Sequence, residues 1–153
     1  MKKRIMVVGP SGAGKSTLCN IINNAARLLK KTQDVIYGPH TIDTPGAYLE
    51  NAWMYKYLIA TAQGAALLLI LVDQANPREV YPPGFAKTFT CPVVGVVTKA
   101  DLAPENRELC RQQLKRIGVA EPYFYLSLTD GTGVAELLSY LENKKVLKGR
   151  ETM

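Results

Sequence analysis

Gly9-Pro10-Ser11-Gly12-Ala13-Gly14-Lys15-Ser16 decides the reading of this chain. The octapeptide matches G-x-x-x-x-G-K-[ST] at every fixed position. It stands between a β-branched run, Arg4–Val8, and a stretch of helical periodicity, Lys15–Leu29. That is the setting a phosphate-binding loop needs. The backbone must fold round anionic oxygens with its N–H groups turned inward. Glycines at 9, 12 and 14 let it approach with no Cβ in the way. The helix that begins at Lys15 turns its positive end to the same oxygens. In this pattern Lys15 reaches the β- and γ-phosphates as a catalytic group, Ser16 offers its hydroxyl to Mg²⁺, and Thr17 bonds the α-phosphate. Pro10, Ser11 and Ala13 complete the nucleotide-binding loop. A glycine-rich turn with a surface lysine is the plain alternative, and it leaves both flanks of the motif unexplained.

Working outward, strand-like and helix-like segments alternate. Leu18, Ile21, Ile22, Ala25 and Leu29 share one side of the first helix. Short extended pieces, Val35–Tyr37 and Thr41–Ile42, flank Gly38-Pro39. Leu49–Gln63 reads as one helix. Ala65–Asp73 and Val93–Thr98 are continuous apolar runs, which suit strands buried on both faces of a parallel sheet. Prolines 77, 82 and 83 mark Gln74–Thr90 as a loop with a short helix. Asn106–Ile117 reads as a helix ended by Gly118, Tyr123–Ser127 as a last strand and Val134–Lys145 as a last amphipathic helix. The series, with the phosphate loop at its first strand–helix turn, predicts an α/β fold of three layers, that of a P-loop NTPase. A mostly parallel central sheet would be flanked by helices, in one domain over residues 1–153.

Three further segments carry chemistry. Asp43-Thr44-Pro45-Gly46 puts a carboxylate where it can hold Mg²⁺ through water, and the Gly46 N–H where it can meet the γ-phosphate. A capped proline-glycine turn is the bland alternative. Thr98-Lys99-Ala100-Asp101 ends a strand. Asp101 can accept hydrogen bonds from both guanine N1–H and the exocyclic amine, a donor pair adenine lacks, while the Lys99 stem lies along the base. The first residue of such a motif is ordinarily Asn; here it is Thr98, so one loop-bracing amide is missing. Ser127-Leu128-Thr129, after the last strand, is placed to offer a backbone N–H to guanine O6.

Composition bounds the rest. The chain has 153 residues, 47% hydrophobic and 21% charged, which suits an ordered globule rather than a disordered segment. The longest apolar run, Gly64–Val72, is far short of the ~20 residues of a bilayer span. The basic start breaks into the glycine-rich loop after Val8 and does not read as a targeting segment. Three cysteines, Cys19, Cys91 and Cys110, lack metal or redox spacing and read as buried thiols in a reducing cytosol. The net charge of +6 lies largely at the two chain ends without interleaved aromatics. It reads as a solvated basic surface, with neither nucleic acid nor membrane as a partner.

With these four segments in order, the chain resembles the translation-factor-like P-loop GTPases over nearly its whole length. More narrowly it resembles the EutP/PduV family of ethanolamine and propanediol utilisation. Carrying that resemblance are Lys3-Arg4-Ile5-Met6, Gly9–Thr17, Lys31-Thr32-Gln33, Ile42–Gly46, Lys99-Ala100-Asp101 and the short gap between Lys31 and Asp43. It implies a cytoplasmic protein associated with bacterial microcompartments, with Mg²⁺ and GTP or GDP as cofactors and ATP as the alternative. Two activities are attributed to that family: GTPase-like work in compartment positioning and acetate kinase-like transfer. By position, Thr32 becomes the threonine that meets Mg²⁺ and the γ-phosphate; a polar residue at a helix end is the other reading. Many small GTPases place a glutamine after the glycine of Asp-x-x-Gly to orient water. Here Ala47 and Tyr48 follow, no general base stands nearby, and His40 reads as a loop residue, so hydrolysis should be slow. Tyr48, Trp53, Tyr55 and Tyr57 cluster past Gly46. They read either as core or as a face for microcompartment shell or enzyme proteins.

Overall fold

The computed structural model describes residues 4–30 and 40–144. Five strands, β1 (Arg4–Val8), β2 (Thr41–Asp43), β3 (Ala65–Asp73), β4 (Val93–Thr98) and β5 (Tyr123–Tyr125), form one sheet in the order β2-β1-β3-β4-β5. Every pairing is parallel. Side chains of a strand alternate between faces, so a strand covered on both sides must be apolar throughout. That is why β3 is an unbroken apolar run. Its Leu67, Leu69 and Leu71 join Ile5, Val7, Leu18, Ile22, Leu137 and Leu141 in one layer. Its Leu68, Ile70 and Val72 join Met6, Val8, Leu58, Phe85 and Leu114 in the other. Helices α1 (Lys15–Lys30) and α5 (Val134–Asn143) cover the first face. Helices α3 (Tyr55–Ala62) and α4 (Arg107–Ile117) cover the second. The expected three-layer α/β architecture of a P-loop NTPase is therefore present.

From β1 the chain passes to β2 on one side and then to β3 on the other. This reversal opens a crevice at the carboxyl ends of β1 and β3, the place where open parallel sheets take ligands. The phosphate loop follows β1 directly into that crevice. Among the described residues no helix is long and apolar enough to cross a membrane.

Two element expectations are corrected. The single helix expected over Leu49–Gln63 is broken: α2 (Ala47–Glu50) stops at Asn51, whose φ of −129° and ψ of 107° are extended, and a 3₁₀ turn over Ala52–Met54 leads into α3. The reason is geometric. Leu49 and Leu58 are nine positions apart, about 900° of helical rotation, so one continuous helix would set them on opposite faces. The break lets both enter the same buried layer. It also sends Tyr55 edge-on to Phe85, with centroids 5.4 Å apart, and leaves Trp53 65% exposed. The four aromatics thus divide between core and surface. The last strand is shorter than Tyr123–Ser127 because Ser127 turns its N–H to the Thr132 carbonyl, 3.0 Å away, and leaves the ladder.

Candidate functional site

The phosphate loop is a tight turn held at its base. Ala13 donates its N–H to the Pro10 carbonyl at 3.1 Å, and Gly9, Pro10 and Ala13 are buried beneath the loop, while Ser11 and Gly12 are on its surface. Gly12 (φ 85°) and Gly14 (φ 99°) take left-handed conformations that a side chain would strain. The first-turn N–H groups of α1, from Lys15 through Thr17, have no carbonyl within the helix to bond, which is the arrangement that receives anions. Ser16 and Thr17 are exposed at that end.

Lys15 is buried, 8% exposed, and its Nζ donates to the Pro10 carbonyl at 3.2 Å. An ammonium has three donors, so the group retains capacity for an anion. Burial pushes the Lys15 pKa down; the nearby Asp43 carboxylate opposes the shift. A triphosphate bound there would favour the charged form. The sign follows. Only protonated Lys15 binds well, so affinity is flat below the pKa of the ligand-free protein. Above it, affinity falls by up to about tenfold per pH unit. Because burial lowers that pKa, the fall should begin at a lower pH than for an ordinary lysine. Titrating inorganic tripolyphosphate from neutral to alkaline pH checks this; affinity flat to the ordinary lysine range would contradict it.

Asp43 ends β2 beside Ser16, whose hydroxyl donates to Asp43 Oδ2 at 2.6 Å. The hydroxyl lone pairs and the remaining carboxylate lone pairs stay available to a cation. Two hard oxygen donors, with water and phosphate completing the shell, suit Mg²⁺, which binds through one or two protein oxygens and keeps waters. Thr44, next along, is buried and donates its hydroxyl to the Val7 carbonyl at 2.9 Å, which ties the segment to β1. Gly46 lies against the phosphate loop: a Cβ there would be 2.6 Å from the Ser11 backbone nitrogen. Thr32 lies outside the described residues, as do Val35–Tyr37 and Gly38-Pro39.

Thr98 is wholly buried in the sheet, its hydroxyl turned 3.4 Å from the Val72 carbonyl, so its side chain does not brace the loop that follows. Lys99 (φ 57°) opens that loop and pairs through Nζ with Asp73 Oδ2 at 3.0 Å. Asp101 is exposed. Ser127 is buried, and Leu128 reaches the phosphate loop, its Cδ1 2.9 Å from where a Cβ on Gly14 would be. The fourth segment is therefore brought to the first.

Two residues outside any motif support this corner. Asp73 accepts N–H bonds from Ala75 at 2.9 Å and Asn76 at 3.3 Å while it holds Lys99. Gln74, fully buried, donates through Nε2 to the carbonyls of Ala100 at 3.2 Å and Leu102 at 2.8 Å. Sequence reasoning passed over both; Thr98 signalled only that an amide was missing, not that Gln74 would supply it.

Comparison with known proteins adds the family and the fold. The family described as ethanolamine utilisation–propanediol utilisation (PduV-EutP) matches residues 2–143. The chain is 40% identical over 144 residues to the propanediol utilization protein PduV of Citrobacter freundii, covering 94% of this chain and 95% of that one. It is 39% identical over 142 residues to the probable acetate kinase EutP of Salmonella typhimurium, covering 91% and 89%. Among solved structures it resembles translation elongation factor SelB of Methanococcus maripaludis, in complex with the GTP analogue GppNHp, with a TM-score of 0.62 at 18% identity. All of this chain is covered there, but it spans only 36% of that protein. The cytosolic domain of the T. maritima FeoB iron transporter, in its GMPPNP form, gives a TM-score of 0.58 at 18% identity, with 100% of this chain and 67% of that one covered. These two structures establish likeness of fold.

Proposed function

The chain belongs to the PduV-EutP family, and on that premise we propose that it binds Mg²⁺-GTP and hydrolyses it slowly. It works as a switch, or as an assembly and positioning factor, in ethanolamine or propanediol utilisation microcompartments. The observation that carries this reading is the docking of Asp43–Gly46 on the phosphate loop, with Ser16 and Asp43 2.6 Å apart. One short segment then touches both the cation pair and, through Gly46, the loop beside the γ-phosphate position, so its placement depends on the nucleotide. Lys15 neutralises phosphate, Thr17 and the loop N–H groups hold it, and Ser16 and Asp43 hold Mg²⁺, with Thr32 as a further cation ligand. Mg²⁺ held there would offset the charge of the phosphate oxygens. Lys99, Asp101 and the Ser127-Leu128 turn take the guanine. Ala47 in place of a water-orienting glutamine supports slow turnover.

Asp101→Ala tests the base. GTP affinity should fall about 10- to 100-fold for two hydrogen bonds lost from a charged acceptor. ATP affinity should stay within about twofold, since adenine offers no matching donors. Equal losses for both nucleotides would remove the guanine reading.

A second reading, ATP-dependent phosphoryl transfer to acetate, is favoured by the name of the Salmonella relative and by the missing glutamine. Acetyl phosphate formed from ATP and acetate by the intact chain, and lost in Lys15→Ala, would establish it. A third, a nucleotide-bound adaptor without turnover, would dock through Tyr48–Tyr57, where Trp53 and Tyr57 are 65% and 46% exposed.

A further inference from the structure

The loop from Lys99 to Ala103 carries Asp101 at its middle and is conformationally demanding. Lys99 (φ 57°) and Ala103 (φ 48°) are both left-handed and neither is glycine. Such residues persist only where neighbours over-determine them. Thr98 offers no brace, since its hydroxyl is turned into the sheet towards Val72.

We infer that Gln74 is the positioning residue that sets Asp101 for guanine, its side-chain amide clamping the carbonyls on either side of Asp101 from the end of β3. The assignment rests on the guanine reading above. Its geometry is specific. The two Nε2 bonds, 3.2 Å to Ala100 and 2.8 Å to Leu102, bracket Asp101. The Gln74 N–H donates to the Thr98 carbonyl at 3.0 Å, fixing where the loop leaves β4. The Gln74 carbonyl accepts from Asn106 Nδ2 at 3.0 Å, fixing where the loop enters α4. Ala100 also donates to Leu126 at 2.9 Å, which links the clamp to the strand end before Ser127. One buried residue therefore touches the loop's start, middle and exit.

The side chain's other end supports the same conclusion. Gln74 Oε1 is buried and has no hydrogen-bond partner among the described residues. An unpartnered buried oxygen is unfavourable. An apolar residue of the same volume would leave no such orphan, but it could not hold the Ala100 and Leu102 carbonyls. The amide orientation is fixed, because only the NH₂ end can donate to them.

The test compares GTP, ATP and inorganic tripolyphosphate, all with Mg²⁺, on the intact chain and on Gln74→Met. Tripolyphosphate has no base and reports the phosphate loop alone. The expected result is a loss of GTP affinity of about tenfold or more, with ATP and tripolyphosphate within about twofold. Adding Asp101→Ala to Gln74→Met should cost less than the product of the two single losses, because both act on the same contact. A parallel fall for all three ligands would reduce Gln74 to a fold anchor and overturn the inference, as would unchanged GTP affinity. If the intact chain binds GTP no tighter than ATP and Asp101→Ala alters neither, the guanine reading itself has failed and this inference falls with it. If the intact chain prefers GTP through Asp101 and Gln74→Met keeps that preference, only the role of Gln74 is lost. Should Gln74→Met fail to fold, Asn106→Ala, at the half-buried outer end of the clamp, must show the guanine-only loss; its absence there overturns the assignment.

Discussion

Lys15→Met is expected to lower triphosphate affinity at least about 300-fold while leaving the ligand-free protein as stable as before, or more so. Two facts set the opposite directions. The ammonium is buried and its pKa is pushed down by desolvation, so the folded protein holds a charge where the charge is disfavoured. Methionine fills similar space without that charge, and its loss of one bond to the Pro10 carbonyl is small beside it. The ligand sees the reverse. In the native protein a phosphate adds to the anionic charge that Asp43 only partly supplies to the buried ammonium; in the variant the phosphates enter a loop with no full positive charge. Thermal unfolding separates the two effects. The ligand-free midpoint should hold or rise, and the stabilisation by saturating GTP or tripolyphosphate seen in the native protein should vanish. A lowered ligand-free midpoint with binding intact would mean that Lys15 is a structural residue of the loop.

How much of this was legible before the structure depends on the range of the forces involved. The phosphate loop was legible because its requirements are local: left-handed glycines at 12 and 14, a strand before and a helix after, all within a few residues. Strands β3 and β4 were legible because burial on both faces leaves a continuous apolar run. The break at Asn51 was not, because periodicity in Leu49–Gln63 suits a helix at every local step. Only the demand that Leu49 and Leu58 share one layer forbids it. Gln74 was invisible for a stronger reason. Its carbonyl acceptors lie 26 and 28 residues away, and no spacing rule connects them. Thr98 showed that a brace was missing but not where its replacement would come from. The corner around Asp101 is thus the part of the candidate site that depends most on tertiary placement.

Gly46→Ala should separate the γ-phosphate response from nucleotide binding as such. Gly46 does not need glycine for its backbone: φ of −60° and ψ of −27° are open to any residue. It needs glycine for space. A Cβ would be 2.6 Å from the Ser11 nitrogen and 3.0 Å from Ser11 Cα, both backbone atoms that no rotamer change can move aside. One of the two segments must yield. The phosphate loop is set between β1 and α1 over buried Pro10 and Ala13, and its turn is closed by the Ala13–Pro10 bond. On the other side, the segment is pinned as far as Thr44 by its bond to Val7, and beyond Gly46 the four-residue α2 is anchored through buried Leu49 before the extended Asn51. That single short turn is softer than a loop set between a strand and a long helix, so the displacement should fall on Gly46 and leave Ser16 and Lys15 in place. A shift of this kind takes the Gly46 N–H out of reach of a γ-phosphate, and one hydrogen bond lost from a charged acceptor costs about 10- to 100-fold in affinity. The expected outcome is a drop of that size, about 10- to 100-fold, in affinity for a non-hydrolysable GTP analogue, with GDP affinity within about threefold of the native protein. Equal losses for the two would mean that the phosphate loop moved instead. No loss for either would show that Gly46 does not meet the γ-phosphate, and Asp43–Gly46 would then be a structural turn.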